Sequence, residues 1–376
     1  MTILFVNMSV DLVTGGGTAA RTISVAKSIR NDFNKECIVI ATDQGLSKKN
    51  IYEINDSNMM LLHSIVDRFY IPYFSFTKLA QLVKKCEIIH LMSHWTIINI
   101  IVYFMARFYK KPYTFCPAGT LKTFGRSFIL KKLYNYFFGK RIIENALICI
   151  TITEKEKNDF DGFKINFEKI ITIPNGISPD YFSPNNSAKS LFLEKFNLNG
   201  IKYILFMGRL NKIKGPDLLL KAFIRLSYEF RELHVVFAGP DEGMKTKMVE
   251  EVRKQGLDDR VHIIGHIDGN YKLGAYSGAK LLAVPSRKEA MSIVALEAGS
   301  CGIPIILTSE CGFDEVADFG CEVSDPSVDG LYLGLKKMLK SKRLESIGDN
   351  LRREIINKYT WQNTASMYLK INEKVM

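Results

Sequence analysis

Two α/β units in series, each a parallel sheet covered by helices, are what this sequence predicts, and three observations carry that reading. Short apolar runs alternate with longer amphipathic stretches along most of the 376 residues, the pattern of strands joined by crossover helices. The alternation occurs twice, on either side of a stretch from Pro174 to Pro184 that is rich in Pro and carries Gly176, the composition of a linker between cores. The chain is also long enough for each unit to bury a core of its own.

In the first half the expected strands are Ile3 to Met8, Cys37 to Ala41, Ile88 to Leu91, Tyr113 to Cys116, Ala146 to Thr151 and Ile170 to Ile173. In the second half they are Tyr203 to Met207, Leu233 to Ala238, Val261 to Ile264, Leu281 to Val284 and Ile303 to Leu307. Helical periodicity fits between most of them, as at Thr18 to Arg30, Asp217 to Phe230 and Met244 to Gln255. No internal repeat or low-complexity tract interrupts the series.

Composition narrows the class. Apolar residues at 47% and charged residues at 24% suit a globular protein. Ile97 to Tyr109, the longest apolar candidate, is broken by Asn99 and Arg107 and is too short to span a bilayer. Met1 to Met8 has no basic n-region and reads as a buried strand, so a cytoplasmic location is expected. Seven scattered cysteines without a Cys-x-x-Cys pair read as reduced, buried thiols. The net charge of +12 is uneven: residues 101–145 hold nine basic residues against Glu144 alone, hence +8. Phe124, Phe128, Tyr134, Tyr136, Phe137 and Phe138 interleave with Lys122, Arg126, Lys131, Lys132, Lys140 and Arg141. Such a segment suits an anionic membrane surface on the inner face of the plasma membrane, or else a solvated face with its aromatics turned inward. No nucleic-acid recognition motif accompanies the charge, so no nucleic-acid partner is expected.

The chemistry concentrates between Pro285 and Ala298. Pro285 ends a strand, Ser292 is a plausible N-cap, and Ile293 to Ser300 continues as helix until Gly302-Ile303-Pro304. Glu289 falls on the loop and Glu297 more than a turn inside the helix, eight residues on. The first N–H groups of such a helix can hold an anion, and two acceptor-only side chains beside it can take hydroxyl groups. Earlier, Arg209 and Lys214 follow directly on the strand that opens the second half, at a carboxyl end where open α/β sheets bind ligands. A guanidinium and an ammonium there can clamp a diphosphate and stabilise it as it leaves; Lys212 reads as an ordinary surface lysine.

Glu289, seven residues, Glu297, then Ala-Gly-Ser-Cys-Gly-Ile-Pro-Ile-Ile resembles the signature of retaining glycosyltransferases of family 4. The resemblance implies the GT-B architecture, two facing Rossmann-like domains with parallel sheets. Residues 1–176 would form the acceptor domain and 177–356 the donor domain, with a last helix at about 357–376 crossing back to the first. It implies that Glu289 contacts the transferred sugar, Glu297 the nucleotide ribose, and Arg209 and Lys214 the diphosphate. Gly208 and the helix start at Met291, Ser292 and Ile293 complete the nucleotide side, and Gly265-His266 matches a position whose backbone meets the base. Many relatives have Gly where this chain has Ala290 and Ser292, which bears on the donor sugar.

In the first half, Gly15, Gly16 and Gly17 correspond to a glycine loop that lets backbone approach donor and acceptor. His94 corresponds to a histidine near the transferred sugar, facing the cleft; His90 lies within a strand and reads as core. Pro117 to Thr120 takes the place of a loop lining the acceptor side, without its usual histidine, and Asn175-Gly176 resembles a hinge motif. Gly15-x-Gly17-x-x-Ala20 also fits a dinucleotide fingerprint, with Asp43 where a ribose-binding acid would sit. Six residues between strand and glycines spoil the tight first turn of that rival. Asp159-Phe160-Asp161 matches an Asp-x-Asp metal motif only superficially, and with Arg209 and Lys214 on the diphosphate no metal or other cofactor is expected.

The expected reaction moves a hexosyl-type sugar from a UDP- or GDP-sugar to a glycan or lipid-linked acceptor, with retention. A sugar-nucleotide epimerase on the same fold, a non-catalytic nucleotide-sugar-binding protein and an NAD-dependent oxidoreductase are the alternatives.

Overall fold

The computed structural model describes residues 2–11, 14–46, 58–66, 71–121 and 128–373. Lys122, Phe124 and Arg126 of the basic aromatic segment lie outside the described residues. The chain divides into two compact units, one of Met1–Gly176 with Trp361–Met376, the other of Ile177–Thr360.

The first unit is built on β1 (Thr2–Ser9), β2 (Glu36–Thr42), β3 (Met59–Val66), β4 (Ile71–Tyr73), β5 (Ile88–Met92), β6 (Tyr113–Cys116), β7 (Ile148–Thr151) and β8 (Ile170–Thr172). Their spatial order is β4-β3-β2-β1-β5-β6-β7-β8, parallel except for the β3–β4 pair. Every residue of β5 and β6 is buried, because a parallel sheet is covered by helices on both faces and selects unbroken apolar runs. Those helices include α1 (Gly16–Asn31), α2 (Phe76–Lys85) and α3 (Ile97–Phe108). Leu4, Val6, Leu91, Val102 and Phe115 are fully buried in the shared core. Further on, α4 (Phe128–Tyr134), a π-helical turn (Asn135–Gly139) and α5 (Lys140–Glu144) form one helical run. From β1 the chain builds outward through β2 and β3, then returns to lay β5 on the other side of β1. The carboxyl ends of β1 and β5 therefore flank a topological switch point, where open α/β sheets bind ligands. The loop leaving β1 leads to Gly15, with Gly16 and Gly17 opening α1, and the loop leaving β5 carries His94.

The second unit repeats the logic with β9 (Lys202–Met207), β10 (Leu233–Ala238), β11 (Val261–Gly265), β12 (Leu281–Val284), β13 (Ile305–Thr308) and β14 (Glu322–Ser324). All pairs are parallel, in the order β11-β10-β9-β12-β13-β14. Its helices are α6 (Asn186–Lys195), α7 (Pro216–Leu226), α8 (Lys245–Lys254), α9 (Gly269–Gly278), α10 (Ile293–Ser300), α11 (Val328–Lys340) and α12 (Leu344–Lys358). Ile204, Leu219, Phe223, Phe237 and Ala283 fill the core between sheet and helices. The switch point lies between β9 and β12, so the loop with Arg209 and Lys214 and the loop with Glu289 leave neighbouring strand ends. The chain closes with α13 (Trp361–Glu373), which belongs to the first unit. Two parallel-sheet α/β units with a last helix returning to the first match the expected fold class. Each strand expected above forms; α7 stops at Leu226, short of the Phe230 expected.

Candidate functional site

In the second unit, two loops are clamped together at the switch point. Arg287 donates from its backbone N–H to the Ile213 carbonyl (2.7 Å) and from Nη1 to the Lys212 carbonyl (2.7 Å). Its guanidinium also grips both oxygens of Asp217 at 2.8 Å, the bidentate geometry that makes such pairs strong and directional. Gly215 has φ +69°, and a Cβ there would sit 2.0 Å from the Pro285 carbonyl oxygen, so only glycine lets the two backbones meet so closely. Across this junction Lys214 Nζ lies 2.7 Å from Glu289 Oε1, while Ser286 Oγ donates to Glu289 Oε2 (3.0 Å). The Glu289 backbone N–H is fixed on the Glu310 carbonyl (2.8 Å).

The other cation has a different partner. Arg209 Nη1 donates to Glu242 Oε1 (2.9 Å), and Asn211 Nδ2 to Glu242 Oε2 (2.6 Å). Gly208 precedes Arg209 with φ +155°, and its carbonyl oxygen would be 1.9 Å from a Cβ on Gly239; the ends of β9 and β10 are thereby held together. Lys212 bonds Asp217 at the exposed rim. His266 is exposed just beyond β11, after Gly265 with φ +79°.

Met291 and Ser292 are buried and Ile293 opens α10. Ser292 caps this helix, its Oγ accepting from the Ala295 N–H. The N–H groups of Ile293 and Val294 occupy the first turn, where a helix offers no internal acceptor. Glu297, only 6% exposed, carries Lys272 on one carboxylate oxygen and Tyr276 on the other.

In the first unit, Gly15 is the N-cap of α1; its N–H reaches the Asp11 carbonyl (2.8 Å), and Thr14 N donates to Asp11 Oδ2 (2.6 Å). Gly16 takes φ +55° and Gly17 is exposed. Asp43, the acid of the dinucleotide rival, is occupied by His63 Nδ1 (2.8 Å) and the Ser64 N–H (2.9 Å).

His94 differs from its expected open position. Its imidazole is wholly enclosed, packed edge-on against Trp95, Phe115 and Tyr134. Nε2 lies 2.7 Å from Asn135 Oδ1 on the π-helical turn, and buried Nδ1 has no hydrogen-bond partner among the described residues. A Cβ on Gly139 would come within 2.9 Å of the ring, so that glycine lets the turn close over it. The nearby Pro117 to Thr120 loop bonds the His94 backbone through Thr120 Oγ1 (3.0 Å). His90 is also fully buried, with Nδ1 on Thr114 (2.7 Å).

Burial depresses both imidazoles, His90 to about 3 and His94 to about 4, so they stay neutral in the fold and protonate first in the unfolded chain. A depressed folded value means stability is complete above the ordinary value of 6.5 and is lost as pH falls from there toward 4. At pH 5 the loss is about 2 kcal/mol per histidine. Urea titrations at pH 7 and pH 5, followed by tryptophan fluorescence, measure it; equal midpoints would contradict it.

Asp159 and Asp161 flank Phe160, which is 2% exposed and belongs to the core. Asn175 is buried and accepts from Arg21 at 2.9 Å. All seven cysteines are buried and unpaired. No helix among the described residues is long and apolar enough to cross a membrane.

Sequence reading missed Arg287, Glu242, Lys272, Tyr276 and Asn135. Only the four-residue spacing of Lys272 and Tyr276 is a local signal; the other pairings are fixed by the topology.

Residues 191–358 match the family model of the glycosyl transferases group 1. One subunit of the human phosphatidylinositol N-acetylglucosaminyltransferase is 30% identical over 61% of this chain and 46% of its own length. The D-inositol 3-phosphate glycosyltransferase of Corynebacterium jeikeium is 29% identical over 63% of this chain and 59% of its own. The chain thus spans about half the length of these relatives. Among solved structures, Anabaena HepE with UDP-glucose superposes over the full length of both chains with TM-score 0.79 at 17% identity. WaaG, a glycosyltransferase involved in lipopolysaccharide biosynthesis, does so over 100% of this chain and 99% of its own at TM-score 0.67 and 18% identity.

Proposed function

We propose that this chain, which has the GT-B fold and whose residues 191–358 match the glycosyl transferases group 1, is a retaining hexosyltransferase that takes its sugar from UDP or GDP without a metal. The observation that carries this reading is the clamped junction of the second unit, where Lys214, on the loop that also carries Arg209, meets Glu289, on the loop that leads into α10. HepE was solved with UDP and with UDP-glucose, and its fold is shared here.

In the proposed reaction the bond from the anomeric carbon to the diphosphate oxygen breaks and the acceptor oxygen bonds the same face. The acceptor proton passes to the departing phosphate. Arg209, Lys214 and the N–H groups at the start of α10 stabilise the negative charge that develops; these groups supply the charge that a metal would bring. Glu289, held by Lys214 and Ser286, accepts from sugar hydroxyls and orients the ring; it is not the base. Glu297 accepts from the ribose hydroxyls, and His266 marks the base side. In the first unit, the glycines at the start of α1 are left to serve the acceptor, because the enclosed His94 ring offers it no group.

A glycan or lipid-linked acceptor of bacterial cell-surface polysaccharide synthesis is supported by the helical run after 128. Phe128, Ile129, Leu130, Tyr136 and Phe137 are exposed there, beside Lys131, Lys132, Lys140 and Arg141. Apolar side chains ringed by cations suit the anionic inner face of the plasma membrane. Co-sedimentation with phosphatidylglycerol vesicles but not phosphatidylcholine vesicles is expected, and equal binding to both would refute it.

Thermal shift with UDP, GDP, ADP, CMP and NAD tests the donor assignment. A rise with UDP or GDP that shrinks in Lys214→Met is expected; a rise with NAD alone would sink it. A diphosphate must also displace Glu242 from Arg209. Both partners are substantially exposed, so the pair contributes about 0–1 kcal/mol. Glu242→Gln should therefore tighten nucleoside diphosphate binding by about two- to fivefold in calorimetric titration; weaker binding would contradict a competing role.

A further inference from the structure

We propose that Lys272 is a positioning residue for the donor ribose, fixing the Glu297 carboxylate so that each of its oxygens offers one acceptor site to a vicinal diol. The proposal rests on the ribose reading of Glu297. Helix α9 carries Lys272 and Tyr276 one turn apart, and both turn toward α10. Lys272 Nζ lies 2.6 Å from Glu297 Oε1 and Tyr276 Oη 2.6 Å from Oε2.

A carboxylate accepts about four hydrogen bonds, two per oxygen. With one site on each oxygen taken by the protein, one remains on each, which matches the two neighbouring hydroxyls of a ribose. The two partners also set the plane of the group, whose terminal torsion is otherwise broad. Their roles differ. Tyr276 is fully buried, and burial together with Glu297 keeps its phenol protonated, so it anchors Oε2 as a donor. Lys272 brings the charge: a carboxylate this buried is costly unpaired, and an incoming diphosphate adds negative charge nearby.

The surroundings hold Lys272 in place. Its ammonium sits 5.3 Å from the centre of the Phe182 ring, and the Phe182 carbonyl is fixed by Ser300 Oγ, three residues beyond Glu297. Helix α9 is locked on α6 because Gly274 lies against the Ala188 carbonyl, 2.1 Å from where a Cβ would stand.

The test is calorimetric binding of UDP and GDP and of their 2′-deoxy and 3′-deoxy analogues to the full chain and to Lys272→Met, Lys272→Arg and Glu297→Gln. For the nucleotide that binds, the wild type should prefer the ribonucleotide by about tenfold or more, the scale of a hydrogen bond to a charged group. Glu297→Gln and Lys272→Met should each erase most of that preference, and Lys272→Arg should retain it. A lower melting temperature in Lys272→Met with the preference intact would reduce Lys272 to a structural ion pair and overturn the proposal. A preference that is absent in the wild type, or that survives Glu297→Gln, would overturn the ribose reading and the proposal with it. The Glu297→Gln arm therefore separates the two failures.

Discussion

Lys214→Met is expected to lower kcat for the proposed sugar transfer by about a hundredfold or more, the scale seen when one donor to a developing anion is removed. Its ammonium lies 2.7 Å from Glu289, with both side chains mostly buried (25% and 14% exposed). Removing the cation therefore has a second consequence: Glu289 keeps Ser286 but loses its counter-charge, and stability falls as well. Combining Lys214→Met with Glu289→Gln separates the two effects. The double variant recovers melting temperature because no unpaired charge remains, while kcat stays low because the cation is missing and the Glu289 carboxylate no longer orients the sugar. Steady-state kinetics beside thermal denaturation measure both. A double variant that regains turnover would show that Lys214 acts only through the stability of the pair.

Arg21→Met destabilises the first unit by about 2–4 kcal/mol, since taking the donor from several buried neutral acceptors costs about 1–3 kcal/mol for each one left unsatisfied. This guanidinium is fully buried. It donates to the carbonyls of Pro174 (2.9 Å) and Ile173 (2.8 Å), to Asn175 Oδ1 (2.9 Å) and to Tyr368 Oη (3.3 Å). One side chain on α1 thus ties the end of β8, the segment where the chain leaves the first unit, and α13. Methionine fills much of the volume but removes four hydrogen bonds at once, leaving the Pro174 carbonyl with Thr364 Oγ1 (3.1 Å). The only two tryptophans, Trp95 and Trp361, both belong to the first unit. Their fluorescence in urea follows that unit alone, which avoids treating a two-unit chain as one transition. A midpoint unchanged from wild type would contradict the role given to Arg21.

Much of the fold was legible because parallel strands covered on both faces are buried throughout, as β5, β6, β12 and β13 are, and burial selects mostly apolar runs. Three strands lacked that signal. In β3, His63 and Ser64 interrupt the run; β4 contains Pro72, tolerated at a sheet edge; β14 is a three-residue edge strand with Glu322. At the candidate site, Ser292 as helix cap and the start of α10 at Ile293 could be read from local residue types. The partners could not. Glu289 meets Lys214 across 75 residues and Arg287 meets Asp217 across 70, distances closed only by β9 and β12 lying side by side. The enclosure of His94 was equally hidden, since it depends on the π-helical turn that brings Asn135 and Gly139 over the ring.

The most direct measurement is phosphorus NMR of the purified chain and of Lys214→Met with UDP-glucose, UDP-N-acetylglucosamine and GDP-mannose. With water standing in for the acceptor, the wild type should hydrolyse one donor to free sugar and its nucleoside diphosphate, and Lys214→Met should slow that release by about a hundredfold. Release unaffected by the substitution, or a donor converted to its epimer with the diphosphate still attached, would contradict glycosyl transfer at this junction.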